Sequence, residues 1–250
     1  MIWLFLACTK ALPLGGSELS ETYTQVSGVV FEFSTRERVP AASIVLHLRD
    51  RDPLELQSDE SGNWSAAVPN GVPFTPELMI EGYLPAKHAT FVVGDPQAPN
   101  LLERPGRLDL QAVPLATFQR MSAGLTGTRL SRDACLVVDT VTITQVYSMA
   151  SFAEFIPLRP HGEPGVHMRL EPDPGVDPIY FDEGVLPDRS LQATSRDGGV
   201  VWLNVPPGVY TVTGEHPDPA LEVVPRQVEC RAGELVNLNP PMGAGVRVKR

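Results

Sequence analysis

Residues 192–213 (QATSRDGGVVWLNVPPGVYTVT) constrain the fold most strongly, because strand patterns alternate there with turn signals. Asp197-Gly198-Gly199 is typical of a tight turn, since glycine tolerates the positive φ that hairpins need. Residues 200–205 alternate, with Val201, Leu203 and Val205 on one side, which predicts a half-buried strand. The Pro-Pro-Gly at 206–208 ends it, and residues 209–213 predict a second strand with Tyr210 and Val212 on one face.

A shorter copy of this pattern occupies residues 57–71 (QSDESGNWSAAVPNG). Its turn is Glu60-Ser61-Gly62, its inward positions are Trp64, Ala66 and Val68, and Pro69-Asn70-Gly71 closes it. Matching Gly71 with Gly208 places Trp64 opposite Val201. Two copies of one supersecondary unit indicate two domains of one type.

Composition favours short strands over long helices. The 250 residues include 25 prolines and 21 glycines, dispersed along the chain, and the hydrophobic content of 42% is ample for a core. We therefore predict an all-β fold of two tandem antiparallel β-sandwiches, transthyretin-like or immunoglobulin-like. The predicted domains are residues 22–114 and 133–250, joined by a connector at residues 115–132 that could form one or two helical turns.

The alternating segments give the strand positions. In the first half, strands are predicted at 26–33, 42–48, 74–83, 89–93 and 108–113. In the second half, further strands are predicted at 134–147, 165–170, 221–224, 227–231 and 235–238.

The N-terminal residues 1–7 are apolar and end at Cys8. The small Ala7 before a cysteine resembles the end of a bacterial lipoprotein signal, in which the cysteine is lipidated. The apolar run is short and no positively charged segment precedes it, as a start codon assigned too far downstream would explain. Residues 1–21 are accordingly interpreted as a truncated signal and a flexible tether. The alternative is an ordinary apolar N-terminus.

An exported chain would meet an oxidising compartment, where disulfides form. Cys135 and Cys230 both lie in predicted strands of the second half, so we expect an intradomain disulfide between them. The alternative is two buried thiols.

Charge and motifs narrow the function. The net charge of −10 argues against a general nucleic-acid binder. The sequence has no HExxH, GxSxG, P-loop or GxGxxG motif, and no two of its five histidines stand at i, i+4. We therefore predict no catalytic residue, no cofactor and no metal site.

One acidic stretch, residues 173–189, is the best candidate for a ligand loop. It contains Asp173, Asp177, Asp182, Glu183 and Asp188, and also Tyr180 and Phe181. If a ligand binds, Tyr180, Phe181 and Asp182 are the expected contacts, with the rings as a platform for a sugar or a peptide. The alternatives are a solvated acidic loop and, for the two aromatic residues, a short buried strand.

The order of short motifs in the first half is specific. A V-x-G-x-V at 26–30, AASIVL at 41–46, D-x-x-G-x-W at 59–64, P-N-G at 69–71 and G-Y-x-P at 82–85 follow one another. This order resembles carboxypeptidase regulatory-like domains over residues 22–114. The resemblance implies a transthyretin-like sandwich in which Tyr83 packs at an edge.

The second half resembles the same domain and also the B-type repeats of bacterial surface adhesins. Such repeats often carry a Lys–Asn isopeptide bond, but the second half contains only Lys249, so that cross-link is not expected there.

These features together predict a non-enzymatic exported lipoprotein of the bacterial cell envelope, in the outer membrane or periplasm. It would be a structural or interaction module whose partners are the membrane, through its lipid anchor, and envelope proteins or glycans. The alternative is a carbohydrate- or ligand-binding accessory module that uses the 173–189 loop.

Overall fold

The computed structural model describes residues 21–94, 107–118, 131–148, 157–238 and 243–249. Cys8 and most of the predicted tether lie outside these ranges. Nearly all of the regular secondary structure in the described residues is strand, which confirms the predicted all-β class.

The strands of the first half are β1 (Tyr23–Glu32), β2 (Ser43–Leu48), β3 (Leu54–Gln57), β4 (Asn63–Pro69), β5 (Phe74–Met79), β6 (Ala86–Lys87) and β7 (Leu110–Ala112). Those of the second half are β8 (Cys135–Thr140), β9 (His167–Glu171), β10 (Ile179–Phe181), β11 (Pro187–Asp188), β12 (Gly199–Val205), β13 (Gly208–Glu215), β14 (Leu221–Val223), β15 (Arg226–Cys230), β16 (Leu235–Asn237) and β17 (Val246–Val248). A 3-10 helix covers Thr144–Ser148, and residues 115–118 of the connector are helical.

One large sheet organises the molecule. Its nine strands run in the order β11-β10-β12-β8-β16-β6-β5-β2-β3, so it takes strands from both halves. Two three-stranded sheets, β4-β1-β7 and β15-β13-β9, accompany it, together with the pair β14-β17. Most pairs are antiparallel, but β1–β7, β6–β16 and β8–β16 are parallel.

The two halves meet where β16 lies between β6 and β8. Val236 is paired with Lys87 on one side and with Val137 on the other. Lys87 is 1% exposed, and its Nζ lies 3.1 Å from Glu234 Oε2, so the seam contains a buried ion pair. The predicted sandwiches therefore share one continuous sheet, while the boundaries 22–114, 115–132 and 133–250 stay predictions.

The main core lies between the large sheet and the three-stranded sheets. One cluster of buried side chains contains Trp64 and Val26 from the first half together with Trp202 and Val212 from the second. The partly buried Tyr83 packs against this cluster.

Gly28, the glycine of the V-x-G-x-V motif, allows two strands to approach closely. A Cβ built there would lie 1.7 Å from the carbonyl oxygen of Leu108, and the Leu108 N–H donates to the Ser27 carbonyl at 2.8 Å. A side chain would therefore push β7 away from β1.

The prediction that β12 is half-buried is wrong, because both of its faces are covered. Val200 and Trp202 face the main core, whereas Val201 and Leu203 belong to a second apolar cluster on the opposite face. Trp64 therefore shares its core with Trp202 and not with Val201, the residue matched to it in sequence.

Two predicted strands are shorter than expected. The strand predicted at 134–147 ends at Thr140, because its antiparallel partner β12 begins only at Gly199, which is paired with Thr140. Residues 89–93 form only an isolated bridge, between Phe91 and Phe74. The strand in this region, β6, comes a few residues earlier, at Ala86–Lys87. The edge strand β3 was not among the predicted strands.

Candidate functional site

A cavity of about 270 Å³ lies on the face of the large sheet that points away from the main core. It is bordered by side chains from both halves of the chain. Its lining residues are Phe33, Ser34, Arg36, Gln111, Val113, Phe118, Leu136, Val138, Thr140, Arg159, His161, Phe181, Val185, Pro187, Asp197, Val201, Leu235 and Asn237.

The floor of the cavity is apolar. Alternate residues of a strand point to opposite faces, so Leu136 and Val138 of β8 line the floor while Cys135 and Val137 face the core. Phe181 of β10 and Val201 of β12 extend the same surface.

One side of the rim is the turn after β1, which holds Arg36. The Arg36 N–H donates to the Glu32 carbonyl at 3.0 Å, and Arg36 has a φ of 65°, which is uncommon for a residue with a side chain. Its guanidinium carbon lies 5.7 Å from the Phe33 ring centroid and 6.0 Å from that of Phe31, within cation–π range. Nη1 of Arg36 is buried and has no hydrogen-bond partner among the described residues.

On the opposite side of the rim, His161 and Asp197 lie close together because each is followed by a glycine, which allows their two segments to approach closely. The Gly162 N–H donates to the Arg196 carbonyl at 3.2 Å, and a Cβ at Gly162 would lie 2.2 Å from the Asp197 carbonyl. Gly198 has a φ of 79°, as the predicted Asp-Gly-Gly turn requires. The two segments can therefore pack backbone against backbone.

The rim carries more positive than negative charge. Burial, together with the positive charge of Arg159, lowers the pKa of Arg36 to about 10, although the negative charge of Asp197 opposes the shift. Burial, together with Arg159 and Arg36, lowers the pKa of His161 to about 4, so its imidazole is neutral at pH 7. Burial raises the pKa of Asp197, although the hydrogen bond from the Gly199 N–H and the positive charge of Arg159 act to lower it.

The far end of the cavity is polar but already paired. Asn237 Nδ2 donates to Gln111 Oε1 at 3.1 Å, and both side chains are 1% exposed. The Gln111 N–H in turn donates to His88 Nε2 at 3.2 Å. This chain fixes the end of the cavity next to the seam between the halves.

The predicted ligand-loop residues take three different positions. Tyr180 is 3% exposed in the main core, where its hydroxyl oxygen accepts the Met168 N–H at 2.9 Å. Phe181 is 6% exposed and lines the cavity. Asp182 accepts the N–H groups of Gly184 and Leu186 at 2.8 and 2.9 Å. Tyr180 and Phe181 therefore belong to a short buried strand and do not form an exposed platform, because β10 is paired with a strand on each side.

Cys135 and Cys230 lie on β8 and β15, with Cα atoms 5.8 Å apart, and are joined by a disulfide. Both are buried, at 0% and 2% exposure. The bond links the large sheet to the three-stranded sheet of the second half.

The rim residues were missed in the sequence because they come from three turns far apart in the chain. Arg36 and Arg159 belong to no motif, Asp197 was noted only as part of a turn, and His161 only as one of five scattered histidines. The one local signal was the Asp-Gly-Gly turn, whose glycines indicate close packing without naming the partner.

Two further classes of site were sought within the described ranges. No group of three or more His, Cys, Asp or Glu side chains there could hold a metal ion. No helix in the described part of the chain has the length and hydropathy needed to cross a membrane.

Comparisons with known proteins give only distant structural likeness. No family model and no curated protein matches the chain. Solved structures that align with it include the Bacillus anthracis TIE protein, with 10% identity over 86% of this chain and 33% of that one, at a TM-score of 0.29. The shaft pilin SpaA of Lactobacillus rhamnosus GG aligns with 7% identity over 88% and 99% of the two chains, at 0.27. A candidate carbohydrate-binding protein of Bacteroides uniformis aligns with 7% identity over 82% and 96%, at 0.28. TM-scores this low do not establish a shared fold, so function must be argued from the chain's own residues.

Proposed function

We propose that this chain is a non-enzymatic, exported protein of the bacterial cell envelope that serves as a structural or interaction module. The observation that carries the proposal is the parallel pairing of β16 with β6, which makes strands of both halves one sheet. A module that presents surfaces or transmits force gains from such a seam, because its two halves cannot reorient freely.

Three side-chain and backbone links reinforce the seam. Lys87 and Glu234 form a buried ion pair, Asn237 bonds Gln111, and the Thr90 N–H donates to the Gln227 carbonyl at 3.0 Å. Breaking a buried pair leaves an uncompensated charge and costs about 3–5 kcal/mol. The disulfide between Cys135 and Cys230 lies within the second half and does not cross the seam, but it suits an oxidising compartment.

Membrane attachment through Cys8 is the second part of the proposal and rests on the sequence. A residue that is lipidated and becomes the new N-terminus would leave residues 9–21 as a tether between the bilayer and β1. The envelope partners would then be proteins or glycans that the anchored body reaches.

Mass spectrometry of the protein purified from membranes tests the anchor. We expect an N-terminal peptide that begins at Cys8 and carries acyl chains, and a Cys8→Ala variant that is found in the soluble fraction. An unmodified Cys8 in protein that still begins at Met1 would reject the lipid anchor. The proposed structural role would then have no evidence for a location at the membrane.

Ligand binding is the second candidate, because the predicted ligand loop borders the cavity. Phe181, Val185 and Pro187, all from residues 173–189, are among its lining residues. Binding pockets are concave and mostly apolar, with a few placed polar groups, and this cavity has that composition.

A further inference from the structure

The cavity joins an apolar floor to a rim of two arginines, and this pairing defines the chemistry of an occupant. Leu136, Val138, Phe181 and Val201 form a surface that favours a hydrocarbon chain or an aromatic ring. Arg36 and Arg159 lie on the rim, and guanidinium groups bind carboxylates through paired N–H donors.

No carboxylate of the described residues forms an ion pair with Arg36. Stacking against Phe31 and Phe33 fixes its side chain, and Nη1 is buried without an acceptor among the described residues. A buried donor that lacks an acceptor is destabilising, so the protein gains when a ligand oxygen supplies one.

The charges on the rim favour a ligand that carries a single negative charge. Two guanidinium groups face one carboxylate, Asp197, and His161 is neutral at pH 7. Asp182, the other carboxylate that acts on Asp197, is not one of the lining residues of the cavity. One excess positive charge matches a carboxylate better than a phosphate group, which is close to a dianion at neutral pH.

We propose that this cavity binds a small monocarboxylate with an apolar tail, with its carboxylate between Arg36 and Arg159 and its tail on the floor formed by Leu136, Val138, Phe181 and Val201. The volume of about 270 Å³ is near the lower end for ligand pockets, which favours a medium-length alkyl chain or one aromatic ring. The site does not depend on the anchor at Cys8, so either proposal can fail alone.

Calorimetric titration with octanoate tests the site, with 1-octanol as the neutral analogue of the same chain. We expect octanoate to bind and octanol to bind about tenfold more weakly, because only the carboxylate can pair with the arginines. Arg36→Met should weaken octanoate about tenfold and remove the preference over octanol, while Arg36→Lys should restore part of it.

A second variant tests the floor independently of the rim. Val138→Phe places a ring in the cavity without touching either arginine, so it should weaken octanoate and octanol alike, also by about tenfold. Arg159→Gln replaces Arg36→Met if the latter fails to fold, as judged by its unfolding transition.

Three results would overturn the proposal. These are no heat of binding with octanoate at about 1 mM, equal affinity for octanoate and octanol, and unchanged binding in both Val138→Phe and the arginine variant. Tighter binding of octyl phosphate than of octanoate would also reject the monocarboxylate assignment.

Discussion

Lowering the pH from 7 to 5 should destabilise this protein through two buried imidazoles, those of His88 and His161. Burial lowers the pKa of each to about 4, and for His161 the neighbouring Arg159 acts in the same direction. The ordinary value is 6.5, so the folded state keeps these rings neutral while the unfolded chain binds protons. Their contribution to stability is therefore full above 6.5 and is lost as the pH falls toward 4.

The magnitude follows from the proton linkage. Between pH 7 and pH 5 each histidine should remove about 2 kcal/mol from the free energy of unfolding. Asp139 acts with the opposite sign, because burial raises its pKa from 3.8 to about 6, so the folded state takes up this proton first. Asp139 should restore about 1 kcal/mol over the same interval. The net loss of about 3 kcal/mol is a large share of a typical stability of about 5–15 kcal/mol.

Urea unfolding at pH 7, 6 and 5, followed by tryptophan fluorescence, measures this dependence. His88→Gln should reduce the loss between pH 7 and pH 5 by about 2 kcal/mol, whatever its effect at pH 7. Asp139→Asn is the control for sign and should make the loss about 1 kcal/mol larger. A His88→Gln variant with an unchanged slope, or an Asp139→Asn variant with a shallower one, would refute the reasoning.

Three further outcomes are expected. Reduction should lower the free energy of unfolding by about 4–5 kcal/mol, since the disulfide of Cys135 and Cys230 closes a long loop, and a double Cys→Ala variant should not respond to reductant in a thermal scan. Gly28→Ala should cost about 3 kcal/mol in urea, because a Cβ there meets the backbone of the strand leading into β7; a cost below about 0.5 kcal/mol would show that the strand relaxes freely. Trp64→Phe and Trp202→Phe each leave one core tryptophan, and within each variant its fluorescence should change at the same urea midpoint as the far-UV circular dichroism, because the halves share a sheet; two separated midpoints in one variant would mean that the seam does not couple the halves.

The sequence predicted most strand positions because local signals suffice for them. Alternation marked β1, β2, β4 and β13, and glycine and proline marked where they end. The partners of these strands have no comparable local signal. Parallel pairing of β16 with β6 joins residues about 150 positions apart, and nothing in either segment names the other. For the same reason β12 was read as half-buried, although a second layer covers its outer face.

The cavity was less predictable than the strands, since it depends on a face that only the assembled sheet creates. The aromatic residues of the 173–189 loop suggested an exposed platform, but Tyr180 turned into the main core and only Phe181 reached the cavity. Arg36 gave no signal, because a lone arginine in a charged turn is normally solvated. Its stacking on Phe31 and Phe33 appears only once the turn after β1 closes against the sheet.

A structural role and a binding site need not compete in this molecule, because the cavity is lined from both sides of the seam. Arg36 and Gln111 come from the first half, and Leu136 and Phe181 come from the second. An occupant that contacts both groups binds only the assembled form, so it adds RT ln(1 + [L]/Kd) to the stability of the joined halves. At a hundredfold excess over Kd this is about 2.7 kcal/mol, comparable with the loss expected between pH 7 and pH 5. If both proposals hold, an apolar carboxylate would therefore offset the loss of stability at low pH by stabilising the pairing of β6 with β16.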